Sequence, residues 1–220
     1  MTNKKRITSL LCKPAEETTA KNLLSIASDM YPKKIKIGCF VNEKTDITKK
    51  LEELKSIKNP PMWAHYGDNF NGVAIVFDKD KLIEACKEVV EYDWACYANI
   101  VDYNEIRQKN YSLWNNIDLS KQIIDLEIKK QYFNNISDFW FNKNSKWSYE
   151  DEFRIMLYSN DIYPIEVNIL QSLKAIVFGE RVSRFLIEAL LPKLKSLNID
   201  CLQITFDTNK NKFICKKIKT

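Results

Sequence analysis

The spacing of apolar positions changes several times along the chain, and each change marks an element. From Ile35 to Val41 (IKIGCFV) apolar and polar residues alternate closely enough for a strand. Residues 15–30 carry Leu23, Leu24, Ile26 and Ala27 on one side of a predicted helix that Tyr31-Pro32 ends. Residues 46–57 place Ile47, Leu51, Leu54 and Ile57 at helical spacing, with Asp46 as N-cap and Asn59-Pro60-Pro61 as the stop. The stretch Met62–Asp78 (MWAHYGDNFNGVAIVFD) reads as a polar loop emptying into a buried strand, Val73–Phe77, with Gly67 and Gly72 freeing the backbone. Helices over 79–91 and 181–195, strands over 95–103, 150–158 and 174–179, and a terminal hairpin from 201–206 and 212–218 follow. A longer helix over 119–142 is apolar at Ile123, Ile124, Leu126, Ile128, Phe133 and Ile136. No regular strand–helix–strand rhythm emerges. The predicted class is therefore α+β, a mixed and largely antiparallel sheet with flanking helices. One domain is expected over 1–220, with 1–34 as an N-terminal appendage and 35–218 as the core.

Composition narrows the setting. With 220 residues, 45% hydrophobic and 12% aromatic, the chain can bury a sizeable core. Residues 1–11 have too short an apolar run for a signal peptide, and no stretch approaches the roughly 20 apolar residues of a membrane span. A cytoplasmic protein without a membrane is the expectation. The six cysteines, Cys12, Cys39, Cys86, Cys96, Cys201 and Cys215, are scattered without a C-x-x-C, so reduced thiols are expected and no metal is predicted. The net charge of +5 is uneven: residues 1–60 hold 13 basic against 7 acidic side chains, and 207–220 hold 5 against 1. Basic ends suit a solvated surface, a partner protein or nucleic acid.

Candidate chemistry concentrates in two motifs. His65 is the only histidine, so any imidazole acid–base or ligand role falls to it, with Tyr66, Asp68, Asn69 and Asn71 beside it. On an extended segment His65 and Tyr66 would point opposite ways, leaving one of them for the core; Trp63 and Trp147 read as packing anchors. In the second motif, WSYEDEFR from Trp147 to Arg154, strand alternation sends Glu150, Glu152 and Arg154 to one face. Adjacent carboxylates raise each other's pKa and an arginine opposes this, an arrangement suited to holding sugar hydroxyls or acting as a base. A surface ion pair uses the same residues. With four glycines in all, neither a P-loop nor a G-x-G-x-x-G is present, and a Cys–His nucleophile has no local signature. Asp68, Asp78, Glu150 and Glu152 leave metal-dependent hydrolysis open.

The set Ile37-Gly-Cys-Phe40, Met62-Trp63-Ala-His65-Tyr66-x-x-Asn69-x-x-Gly72-Val-x-Ile75-x-Phe77-Asp78, Lys146-Trp147-x-Tyr149-Glu150-x-Glu152-x-Arg154 and Ile176-x-Phe178-Gly179 resembles a bacterial family catalogued as a domain of unknown function. That family's plan is similar to the ADP-ribosyltransferase superfamily, whose split mixed sheet holds NAD while a glutamate engages the nicotinamide ribose. The resemblance implies Glu152 and Glu150 as catalytic residues and carries over no role for His65, which lies later in the chain than the first-strand histidine of those transferases; on the residues themselves His65 is the third catalytic candidate, and Arg154, Tyr66, Tyr103 and Asn69 are expected to bind NAD. It further implies a toxin-like or anti-phage effector that passes ADP-ribose to a macromolecular acceptor. A non-catalytic interaction or nucleic-acid-binding subunit is the alternative. The N-D-P-F-like segment expected early in that family has no counterpart here.

Overall fold

The computed structural model describes residues 34–44, 50–104, 130, 140–159, 161 and 163–218. The helix predicted over 15–30, nearly all of the one over 119–142, and residues 46–49 of the one over 46–57 lie outside them. The fold is α+β, and the chain is shared between two compact units, one from residues 1–40 and 86–166, the other from 41–85 and 167–220.

The first unit contains a three-stranded sheet ordered β1 (Ile35–Val41), β4 (Glu152–Tyr158), β3 (Cys96–Ile100). Strands β3 and β4 are antiparallel, Cys96 facing Leu157 and Ile100 facing Phe153. Being central, β4 has buried side chains on both faces, so Phe153 is buried and Ile155, Met156, Leu157 and Tyr158 form an unbroken buried run. Met156 and Tyr158 pack with Ala95 and Phe141, and Trp94 stacks on Tyr158 with centroids 5.4 Å apart. Each such large side chain contributes roughly 1.5–3 kcal/mol by leaving water.

The second unit is built on a four-stranded sheet, β2 (Val73–Phe77), β5 (Leu173–Phe178), β6 (Asp200–Asp207), β7 (Lys212–Lys217). Strands β5 and β6 are parallel and are joined through helix α3 (Arg184–Ser196), whereas β2–β5 and β6–β7 are antiparallel. Alternation along β5 divides its side chains. Ala175 and Val177 meet Leu54, Ile57 and Trp63, while Ile176 and Phe178 meet Ile187 and Leu191 of α3.

The segment around the histidine departs from the sequence reading. Pro60 and Pro61 start a helix, α1 (Pro60–Tyr66), instead of stopping one, because the first turn needs no N–H donors. Upstream, the described part of the predicted 46–57 helix forms two short 3-10 turns, Leu51–Glu53 and Ser56–Lys58. Trp63 is the core anchor expected of it: its Nε1 donates to the Ile57 carbonyl at 2.7 Å, and its ring stacks on Phe70, which stacks on Phe213. Left-handed backbone falls on Asp68, Asn69 and Phe70, with φ of 47°, 50° and 70°, and on no glycine. Gly67 is needed for space, since a Cβ there would stand 2.6 Å from the Trp63 ring. Nor is β2 the buried strand expected. It lies at the sheet edge, with Val73 and Ile75 exposed by 43% and 47%.

Strand β1 covers the residues its alternation predicts, and the terminal hairpin, helix α3 and helix α2 (Lys79–Glu88) are each within a few residues of prediction. Cys39, Cys86, Cys96, Cys201 and Cys215 are free thiols. Among the described residues, no helix is long and apolar enough to cross a membrane.

Candidate functional site

In the first unit, three local devices bring charged side chains together. The backbone of Asp102 holds the segment 141–143 alongside it: Asp102 N–H donates to the Phe141 carbonyl at 2.7 Å, and Lys143 N–H donates to the Asp102 carbonyl at 3.0 Å, while Val101 N–H donates to the Glu152 carbonyl at 2.9 Å. This fixes the start of the Lys143 side chain. Asn144 then caps a 3-10 turn, Ser145–Glu150, its side-chain oxygen accepting from Lys146 N–H at 3.0 Å. Asp151 ends that turn in the left-handed region, φ 47°, and β4 begins at Glu152.

The predicted strand over 150–158 is therefore corrected at its first two residues. Glu150 closes a 3-10 turn and Asp151 is left-handed, so simple alternation is not what pairs Glu150 with Glu152. Lys143 pairs them: its Nζ donates to Glu150 Oε2 and, at 3.2 Å, to Glu152 Oε2. Arg154, on the same strand, grips Glu152 with a two-pronged contact, Nε to Oε1 at 2.7 Å and Nη2 to Oε2 at 2.9 Å. Its Nη1 donates to the Trp140 carbonyl. Tyr103 accepts from the Glu152 backbone N–H at 2.8 Å, and the Cys39 thiol lies close enough to the Glu152 carboxylate for each to act on the other's ionisation.

The electrostatics follow from these contacts. Glu150 and Glu152 are 3% and 5% exposed, so neither is the exposed ion pair that the sequence also allowed. Burial pushes the Glu152 pKa up, but the Arg154 hydrogen bonds, the nearby Cys39 thiol, the Lys143 hydrogen bond and the Arg154 charge outweigh it and bring it down to about 2. Glu152 is therefore ionised at neutral pH. Cys39 moves the other way: loss of water around the sulfur and the Glu152 carboxylate beside it push the thiol up to about 11. Burial, followed by the Glu152 and Glu150 charges working against the Glu152 N–H bond, raises Tyr103. Trp147, expected as a packing anchor, is instead 41% exposed, and Lys143 Nζ stands 5.1 Å from its ring centroid.

Four of the residues singled out from the sequence, Glu150, Glu152, Arg154 and Tyr103, thus form one cluster. The other three, His65, Tyr66 and Asn69, belong to the second unit. His65 and Tyr66 end helix α1 and are both exposed, so neither fills the core position that an extended segment would have required. Asn69 donates its backbone N–H to the Trp63 carbonyl at 3.0 Å, shaping the turn. Lys143 and Cys39 were not singled out as site residues. A lysine in a polar turn and a cysteine within a strand carry no spacing signal, and only the fold brings them to Glu152. Among the described residues, no group of three or more His, Cys, Asp or Glu side chains is arranged to hold a metal ion.

An α+β protein with a buried tandem of glutamates paired to a lysine and an arginine is the class that fold and site define. Residues 62–155 match the model of a family described as Protein of unknown function (DUF2971), a stretch that contains both motifs. No curated protein and no solved structure matches the chain.

Proposed function

We propose that the chain is an ADP-ribosyltransferase-like effector, a toxin or anti-phage factor, that transfers ADP-ribose from NAD to a macromolecule, with the Glu150–Glu152–Arg154 cluster as its catalytic element. The observation that carries this reading is the buried Glu152 carboxylate kept ionised, with a pKa of about 2. A fixed negative charge stabilises an oxocarbenium-like ribose as its bond to nicotinamide breaks, and it does so best away from water. In that step the C1′–N bond electrons leave with nicotinamide. An acceptor nucleophile then bonds to C1′ and yields its proton to Glu150. Arg154 orients Glu152, and Tyr103 fixes the backbone from which it projects.

The donor set leaves room for NAD. A carboxylate offers about four lone-pair sites, and Arg154 and Lys143 supply three hydrogen bonds to Glu152. A ribose hydroxyl would take the remaining one. No role is given to His65, Tyr66 or Asn69 in this scheme.

The same ion pairing favours a second reading, a non-catalytic interaction subunit in which the cluster braces the first unit and the basic ends contact a partner or nucleic acid. Nicotinamide release from NAD by the purified protein separates the two. The transferase reading expects turnover that Glu152→Gln abolishes while circular dichroism still reports a folded chain. Absent turnover in the wild type, together with salt-dependent binding to DNA or RNA, supports the second.

A further inference from the structure

We propose that the outer edge of β2 pairs with β2 of a second copy of this chain, joining two four-stranded sheets across a two-fold axis at Ala74. The surface belongs to the second unit and takes nothing from the transferase reading. Among the described residues, β2 has a neighbouring strand on one side only, β5. Gly179 N–H donates to the Gly72 carbonyl at 3.0 Å, which makes these two a hydrogen-bonded pair of the antiparallel ladder; Ala74 with Val177 is the next such pair. Val73 and Ile75 fall between, so their N–H and C=O groups point away from β5. Their side chains are exposed as well. Register sets them beside Phe178 and Ile176, on the sheet face that α3 covers with Ile187 and Leu191. With the right-handed crossover that parallel strands take, the residues just before those two on the helix, Leu186 and Leu190, flank the β2 side, and both are exposed. An apolar shelf therefore runs from the flank of α3 to the strand edge.

Charge and side-chain size select a second copy as the occupant. The strand VAIVF carries no charge, so an identical strand laid against it brings no like charges together. The opposite edge of the same sheet, β7, carries Lys212, Lys216 and Lys217, and a copy of that edge would set lysines against lysines. Antiparallel pairing centred on Ala74 places Val73 of each copy opposite Ile75 of the other, as hydrogen-bonded pairs. Every outward N–H and C=O of those residues is then satisfied, and β-branched side chains meet across the seam on the face of α3. Ala74 meets its counterpart at the non-hydrogen-bonded position, where side chains approach most closely and a methyl group fits. Centring the axis on Val73 instead would set Ile75 against Asn71.

Sedimentation of the whole chain between about 1 μM and 1 mM should show a species of twice the chain mass that grows with concentration. Ile75→Lys should weaken this association by about tenfold or more, because symmetry places the lysine in the seam twice. Phe185→Lys, on the outward face of α3, should leave it unchanged. In Ala74→Cys, mild oxidation should link the copies at position 74, since Cα atoms about 4.5 Å apart are within disulfide reach; peptide mapping distinguishes that link from the native thiols. A measurement on the wild type needs no variant to fold: dilution should speed amide exchange at Val73 and Ile75 and leave Ala74, bonded to β5, unchanged. A chain that stays monomeric throughout overturns the proposal, with slow exchange at Val73 and Ile75 then assigning the edge to another segment of this chain and fast exchange to a different partner. A dimer indifferent to Ile75→Lys, sensitive to Phe185→Lys or unlinked at position 74 overturns it equally.

Discussion

Replacing Glu152 with glutamine tests the physics of the cluster independently of any substrate. In the folded protein the carboxyl has a pKa of about 2 against an ordinary 4.5. At about 1.4 kcal/mol for each pH unit, that gap is worth roughly 3 kcal/mol of stability. The folded pKa is the depressed one, so the contribution is fully present above pH 4.5 and is lost as pH falls through about 2. Urea unfolding at a series of pH values from 7 to 2 measures it. At pH 7 Glu152→Gln should be less stable than the wild type by about 3 kcal/mol, since Arg154 and Lys143 keep their charges beside a neutral amide. The two stability curves should converge between pH 4.5 and about 2, the wild type supplying the steeper fall. Parallel curves across that window, or a more stable variant at pH 7, would mean that burial of the charge outweighs its partners and that the account of Glu152 is wrong. A loss of this size also sets a condition on the activity test, because a chain of ordinary stability has only about 5–15 kcal/mol to lose.

Other consequences are local to each unit. Gly179→Ala would put a Cβ 2.1 Å from the Phe70 carbonyl oxygen, and should cost about 3 kcal/mol or more in thermal or urea unfolding, because backbone on both sides must shift. Trp63→Ala removes a ring that is 3% exposed and its bond to Ile57, for a loss of about 3–5 kcal/mol by the same assay. His65→Ala, at an exposed helix end, should move stability by less than about 0.5 kcal/mol. The Cys39 thiol, with a pKa of about 11, should react with iodoacetamide at pH 8 far more slowly than a free cysteine, its rate still climbing above pH 10.

What the sequence settled by itself is local and periodic. Alternation marked β1, and strand-length apolar runs marked the terminal hairpin and the body of β4, because both signals come from neighbours in the chain. It also named Trp63 as a core residue, and Glu150, Glu152, Arg154 and Tyr103 as members of a candidate site. The nature of that site was decided by tertiary structure. Burial of Glu150 and Glu152 depends on what covers them, and the ionised state of Glu152 depends first on Arg154 of its own strand and then on Cys39 and Lys143 arriving from other elements. The double proline before Met62 was misread because proline is compatible with both the end of one helix and the first turn of the next. Gly67 and Gly72 were read as the residues that free the backbone, yet the left-handed run falls on Asp68–Phe70, because local propensity knows nothing of a Trp63–Phe70–Phe213 stack that can hold three ordinary residues in a costly conformation. Periodicity is a property of neighbours in the chain, whereas charge state and strain are set by neighbours in space.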